Sequence, residues 1–170
     1  LCPAFTADEN CATGCTATAI AQIMNYHRWP DCGTGSNTHN GVVVDFSASQ
    51  YDWDNMLDVY VRGFCTDEQI EAVAKLMSDI GMAVWMQYGY ESSAKNEHVC
   101  RALYTYFKYS KKVRYLMRNA MTTSEWKSLI REELEAGRPV YYGGFAEDYS
   151  MGHAFVCDGY GGDKYFHINW

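Results

Sequence analysis

The sequence is short of positive charge and of long apolar runs. Its 170 residues contain 14 Lys and Arg against 21 Asp and Glu, which gives a formal net charge of −7. A chain with this balance lacks the basic surface that binds nucleic acid or anionic membranes. No stretch is apolar over the length that a membrane span needs. Residues 1–10 lack the charged start and apolar core of a signal peptide, so if the protein is exported we expect its targeting segment to have been removed.

The chain does have enough apolar and aromatic material for one globular core, or for two small lobes that share a cleft. Hydrophobic residues make up 48% of it and aromatic residues 15%. Thr66 followed by apolar residues at helical spacing predicts a helix to Gly81, and a capping box of Thr122 with Glu125 predicts another that Gly137 stops. After Gly137 the periodicity becomes that of β-strands.

This order predicts an α+β fold with a helical half followed by an antiparallel sheet. We expect a single domain over 1–170, with a mainly helical lobe over 1–110 and a mainly β lobe over 111–170. The sequence also predicts the local structure of four segments. They are a surface loop over 31–50 with a short strand at 42–44 and a solvated His39, a short helix within 51–60, a short strand over 82–86, and a helix that contains His98 and ends near Phe107.

The strongest candidate for chemistry is Cys15. Thr13 is a good N-cap, and the apolar run that follows Gly14 stops at Pro30, so Cys15 is expected in the first turn of a buried helix. Free backbone N–H groups and the helix dipole favour a thiolate there, and the same N–H groups can stabilise an oxyanion. Gly14 would let a substrate backbone approach closely. The alternative is a structural cysteine at a buried helix start.

Seven cysteines are many for a cytosolic chain of this size. The odd count fits one free thiol with up to three disulfides, and it fits reduced cysteines equally well. Pairing among the six other than Cys15 stays open. A zinc site is disfavoured because the chain lacks the paired C-x-x-C pattern of structural zinc sites; its ligands would be Cys11, Cys15, His27 and Cys32. The cysteines are Cys2, Cys11, Cys15, Cys32, Cys65, Cys100 and Cys157.

The best partner for Cys15 is His153, which begins a predicted strand directly after Gly152 and is expected to be accessible. Strands 153–160 and 164–170 should form a hairpin. An even loop would place Trp170 on the face of His153, whereas an odd loop or a bulge would place Asn169 there. Asn169 would orient the imidazole by a hydrogen bond, and Trp170 would shield such a bond from water.

Several blocks of the sequence, in this order, resemble the streptopain family of bacterial cysteine peptidases, which shares the papain fold. The block around Cys15 is long and specific, and the resemblance covers almost the whole chain. The blocks are TGCTATAIAQIMNYHRWP, QYDWDNML, LMSDIGMAV, RPVYYGG, GHAFVCDGY and YFHINW.

This resemblance implies a papain-like fold, with the nucleophile on a helical left lobe and the histidine on a β right lobe. It implies a secreted, periplasmic or cell-surface bacterial endopeptidase that acts on proteins and peptides. Its specificity would be broad, with an apolar residue preferred two positions before the scissile bond, and it would be made as a zymogen inhibited by its propeptide. No metal or organic cofactor is implied. Cys15 would be the nucleophile and His153 the general acid and base, with Trp170 as active-site tryptophan. The substrate cleft would include Gly14, Gly152 and Ala154.

Two departures from the family pattern bear on these expectations. The family continues past Trp170 into further strands, so we expect a catalytic domain that is truncated at the C-terminus or completed by a second chain. Papain-like enzymes often carry an oxyanion-hole Gln six residues before the nucleophile, where this chain has Glu9. Asn10 is then the candidate second donor beside the Cys15 backbone N–H. Two alternatives stay open: a Cys-His amidase or transglutaminase-like acyl transferase, and a non-catalytic peptide-binding module.

Overall fold

A computed structural model describes residues 11–148, 151–162 and 164–170. The chain divides into two compact units, Leu1–Val113 and Arg114–Trp170. The described part of the first unit contains three α-helices and a two-stranded sheet, and that of the second contains one α-helix and a three-stranded sheet. The α+β class predicted from the sequence is therefore confirmed. Among the helices described, none is both long enough and apolar enough to cross a membrane.

The first helix, α1 (Cys15–His27), is buried along most of its length. Its N-cap is Gly14, with no side-chain cap, so the prediction of Thr13 as N-cap is wrong by one residue. The helix ends where Arg28 takes a left-handed conformation (φ 47°) and returns its N–H to the last turn. Small and apolar residues let it pass through the core, and its buried residues are Thr16, Ala17, Ala19, Ile20, Ala21, Ile23 and Met24.

Helix α2 (Asp67–Ala83) begins after Thr66 as expected, and the structure adds a capping box that Thr66 forms with Gln69. It continues through Gly81 to Ala83, so the short strand predicted over 82–86 is wrong. An apolar run after a glycine resembles a buried strand, but here it is the last turn of a buried helix. Helix α3 (Glu97–Tyr106) ends beside Phe107 as expected.

Two short strands, β1 (Ser36–His39) and β2 (Val42–Asp45), form a hairpin where a surface loop with one strand was expected. Asn40 and Gly41 make its turn, both with positive φ, as a type I′ turn requires. The prediction of a solvated His39 is wrong. Its side chain is buried and its Nε2 donates to the Met86 carbonyl oxygen at 2.8 Å, while Asn37 Nδ2 donates to Met82 at 2.7 Å. The hairpin thus satisfies carbonyls at and after the end of α2.

The short helix predicted within 51–60 is only a 3₁₀ turn, Trp53–Asn55, capped by Asp52. Trp53 and Met56 are buried as the helical spacing suggested, but Tyr60 is exposed. An Asp side chain that bonds to the backbone three residues later favours a tight turn over a regular helix, which explains the difference.

The described part of the second unit contains helix α4 (Thr123–Glu135) and the strands β3 (Val140–Phe145), β4 (Gly152–Gly161) and β5 (Tyr165–Asn169). The sheet is antiparallel with β4 in the centre, which confirms the predicted hairpin. The capping box of Thr122 and Glu125 is also confirmed, and its hydrogen bonds lower the pKa of the Glu125 carboxyl. Trp126 on α4 donates to the Tyr142 hydroxyl at 2.8 Å and so joins the helix to β3.

Candidate active site

Cys15 occupies the first position of α1, in the first turn as predicted. Its side chain is partly buried and forms no disulfide. The buried helix behind it holds its backbone in place, and the amide groups of this first turn have no partner within the helix. The first unit therefore presents a thiol on a rigid support beside backbone donors, which is an arrangement suited to nucleophilic attack on a carbonyl.

Two features of the fold require a glycine at position 14. Its φ of 93° is a conformation that residues with side chains rarely adopt. A Cβ at this position would lie 2.8 Å from the Sδ and Cε atoms of Met86 and 3.4 Å from the Cβ of Ser92. Close packing inside the unit therefore accounts for this glycine without any contact to a substrate.

We expect Gly14→Ala to lower the free energy of unfolding by about 2–5 kcal/mol. The backbone strain at positive φ accounts for about 1–2 kcal/mol, and forcing Met86 aside accounts for about 1–3 kcal/mol. Denaturant unfolding of the variant measures the sum.

The matched control is Gly41→Ala. Gly41 also has positive φ (77°), but nothing lies within 4 Å of the Cβ that it would carry. This control reports the strain alone, about 1–2 kcal/mol. Equal losses in the two variants would contradict the packing of Met86 against Gly14.

In the second unit, His153 is the second residue of β4 and is partly exposed. The indole of Trp170 stacks on its imidazole, with ring centroids 4.3 Å apart and planes 30° apart. Phe155 lies beside both rings, 5.3 Å from Trp170 and 6.3 Å from His153. Phe155 stacks in turn on Tyr142. This aromatic row restricts the plane of the imidazole and covers one of its faces.

The register explains why Trp170 meets His153. An odd number of residues separates β4 from β5, and Asp158 forms a bulge in β4. The odd loop alone, or the bulge alone, would place the Asn169 side chain on the same face as His153. With both present the two shifts cancel, and Trp170 lies on that face instead. Asn169 pairs with Val156, so its side chain lies on the face opposite to His153. The question that the sequence left open is thus answered in favour of Trp170.

The structure places the remaining predicted site residues in different environments. Ala154 is buried on the face opposite to His153, which leaves only its backbone for a substrate. Gly152 pairs with Phe145, whose ring atoms lie 2.8 and 2.9 Å from where its Cβ would be. A side chain at Gly152 would therefore have to displace the exposed ring of Phe145. Asn10, the candidate second oxyanion donor, lies outside the described residues, as do Glu9 and Cys2.

The zinc alternative finds no geometric support. Cys15 and His27 stand at opposite ends of α1, which separates them by about 18 Å at 1.5 Å per residue. In the part of the chain that the structure describes, no three His, Cys, Asp or Glu side chains gather closely enough to hold a metal ion. The six described cysteines are all unpaired, including Cys11.

Sequence reasoning missed the loop that supports the residues before Cys15. Ser92 Oγ donates to the Ala12 carbonyl oxygen at 2.6 Å, and the Ala12 N–H donates to the Gly89 carbonyl at 3.1 Å. Met86 packs on Gly14. The loop has no periodicity that would predict these contacts. One hint was present, since two adjacent serines follow Tyr88 and Gly89, and serine readily bonds to backbone groups.

The family model described as the peptidase C10 family matches residues 1–170. One curated relative, the thiol protease/hemagglutinin PrtT of Porphyromonas gingivalis, is 38% identical over 99% of this chain and 20% of its own length. Another, streptopain of Streptococcus pyogenes serotype M28, is 38% identical over 95% of this chain and 43% of its own length. The chain thus spans less than half the length of these relatives.

Two solved structures are similar to this one. The active wild-type interpain A cysteine protease of Prevotella intermedia has a TM-score of 0.91 and 37% identity, with 100% of this chain and 74% of that chain covered. A prointerpain A fragment from the same organism, a cysteine-to-alanine variant, has a TM-score of 0.87 and 38% identity over 97% of this chain and 55% of its own. The resemblance to streptopain and the papain-like fold are confirmed.

Proposed function

Because the chain belongs to the peptidase C10 family, we propose that it carries the catalytic centre of a cysteine endopeptidase, with Cys15 as nucleophile and His153 as general acid and base. One observation carries the proposal. The family match runs over the whole chain and includes both a cysteine at the start of a buried helix and a histidine stacked by Trp170. The two compact units would then be the lobes of one domain.

The chemistry is acyl transfer from an amine to water. The Cys15 thiol gives its proton to His153 and its sulfur attacks the peptide carbonyl carbon, so that a C–S bond forms as the carbonyl oxygen takes negative charge. When the C–N bond breaks, His153 gives its proton to the leaving amine. Water then attacks the thioester while His153 takes a proton from it, and the acid and the free thiol are released. The mechanism requires that Cys15 and His153 act on the same peptide bond.

The Cys15 backbone N–H is the proposed donor to the oxyanion. It belongs to the first turn of α1, where amide groups have no partner within the helix. Asn10 is the proposed second donor. On the imidazole side, the stacked Trp170 covers one face of His153 and limits its rotation, which favours a single orientation for proton transfer.

Secretion, a propeptide and substrate preference are further parts of the proposal. A solved relative is named a prointerpain A fragment, which supports synthesis as a zymogen. The relatives come from bacteria, and their names state thiol or cysteine protease activity. We propose a secreted enzyme that cleaves protein substrates and prefers an apolar residue two positions before the scissile bond.

The test is hydrolysis of an unfolded protein and of two peptides that differ only in that residue, apolar in one and charged in the other. We expect the protein and the apolar peptide to be cleaved, with a kcat/KM at least about tenfold higher for the apolar peptide, a difference of about 1.4 kcal/mol in the transition state. The same assays with an added primary amine test for transfer. Amide product without hydrolysis would identify an acyl transferase instead.

A further inference from the structure

The three residues before the proposed nucleophile are held by a loop. Residues 12–14 lie outside regular secondary structure, directly before α1. The segment 86–93, which we call the supporting loop, follows α2 and contacts them. Its ends are joined by two backbone hydrogen bonds between Gln87 and Ser93, of 2.8 and 3.1 Å. These hydrogen bonds give the supporting loop a defined conformation, so it can hold residues 12–14 in place.

The Ala12 residue is bound at both of its backbone groups. Its N–H donates to the Gly89 carbonyl oxygen at 3.1 Å, and its carbonyl accepts from Ser92 Oγ at 2.6 Å. The same Ser92 oxygen accepts from the Gly89 N–H at 3.1 Å. Ser92 is only 9% exposed. One buried hydroxyl thus joins the supporting loop to the chain three residues before the nucleophile.

The supporting loop also packs against the backbone of Gly14. The side chain of Met86 occupies the space that a Gly14 side chain would need, and it is fully buried, while the Met86 backbone carbonyl accepts from buried His39. Since peptide units are planar, the torsions at Gly14 set the direction of the Cys15 N–H. The sulfur of Cys15, by contrast, is carried by α1. Loosening residues 12–14 should therefore disturb the backbone donor more than the thiol.

We propose that Ser92 is a positioning residue for the oxyanion-binding backbone that precedes and includes the Cys15 N–H. This inference rests on the proposed peptidase function and adds a residue that the mechanism above does not use. Ser92 touches no reacting atom. It acts through Ala12 and Gly14 by holding the path of the backbone into α1.

The experiment compares Ser92→Ala with the wild type, and uses Ser93→Ala as the matched control, because Ser93 is the adjacent serine with an exposed side chain. Five quantities are measured: kcat and KM on a peptide, the inhibition constant of a peptide aldehyde, the rate of Cys15 alkylation by iodoacetamide, and hydrogen exchange of the peptide covering 11–15. The aldehyde needs the oxyanion site, whereas alkylation needs only the thiol.

For Ser92→Ala we expect kcat to fall about 10- to 100-fold, since a misplaced oxyanion donor has effects of this order. Aldehyde affinity should fall by a similar factor, while KM and the alkylation rate stay within about twofold, as expected of an interaction made mainly in the transition state. Exchange over 11–15 should accelerate. Ser92→Thr keeps the hydroxyl and should restore more than half of the lost kcat. Ser93→Ala should change nothing.

An unchanged kcat and aldehyde affinity in Ser92→Ala would overturn the proposal, as would a parallel loss of alkylation, which would mean general disruption of the site. Absence of turnover and of aldehyde binding in the wild type would instead refute the peptidase. In that case, faster hydrogen exchange over 11–15 in Ser92→Ala but not in Ser93→Ala would still establish that Ser92 supports this backbone. Unchanged exchange in Ser92→Ala would refute that support too.

Discussion

Cys15→Ala is expected to reduce hydrolysis of unfolded protein to the background rate. The variant keeps α1 and its buried face, but it lacks the atom that forms the acyl-enzyme, and no other described cysteine stands at the first position of a helix. Ala is small and a good helix former, so the fold should persist. Release of labelled peptides from denatured casein measures the loss, and a thermal unfolding curve verifies that the protein is folded.

Cys100→Ala is the matched control for this variant. Cys100 also lies in a helix and is partly buried, but burial raises the pKa of its thiol, so it stays protonated at neutral pH. We expect this variant to hydrolyse casein at the wild-type rate. Turnover that survives in Cys15→Ala, in protein free of wild-type enzyme, would refute the proposed nucleophile.

His153→Gln is expected to lower kcat/KM by about 10²–10⁴-fold, the contribution that a positioned general acid and base makes. Gln matches the polarity of the imidazole but cannot carry a proton between the thiol and the leaving amine. Alkylation of Cys15 by iodoacetamide should also slow, because the imidazole no longer accepts the thiol proton. Steady-state assays across pH and the alkylation rate measure these effects.

The control here is His167→Gln. His167 is also on the sheet of the second unit, but it is exposed and its Nδ1 pairs with Asp158 at 2.6 Å. This substitution should leave kcat/KM and the pH profile unchanged. If His167→Gln abolished activity while His153→Gln kept it, the assignment of the histidine would be wrong.

Local patterns predicted the parts of the fold that local interactions determine. Helix α2 starts after Thr66, and α4 starts at the capping box of Thr122, as expected. The apolar run after Gly14 forms α1, and Cys15 lies in its first turn. In each case the residues that fix the element are neighbours in sequence, so the sequence alone contains the information.

Contacts between distant segments account for the errors. His39 is buried because carbonyls at and after the end of α2 need donors, and nothing near His39 in the sequence indicates this. The β1–β2 hairpin was predictable, since Asn40 and Gly41 are the preferred residues of a type I′ turn, but the polar residues around them favoured a loop. Gly81 was interpreted as a helix stop because its packing against the Tyr88 hydroxyl was unknown.

The residue that lies beside His153 was likewise only partly predictable from local sequence. Period-two alternation correctly limited the choice to Asn169 or Trp170. The outcome depended on the loop and on the Asp158 bulge together, and a bulge is a property of strand pairing that one strand's sequence does not determine. Likewise, Cys15 was a candidate from its local sequence, whereas the support that Ser92 gives to residues 12–14 became visible only in three dimensions.

The most direct test of the central claim is active-site labelling at neutral pH with an irreversible peptidyl thiol reagent, followed by peptide mass mapping. We predict one label per molecule, on Cys15, with parallel loss of casein hydrolysis. Cys100 and Cys157 should stay unlabelled because burial raises the pKa of both thiols. A label on another cysteine, or complete inactivation without a label on Cys15, would contradict the account.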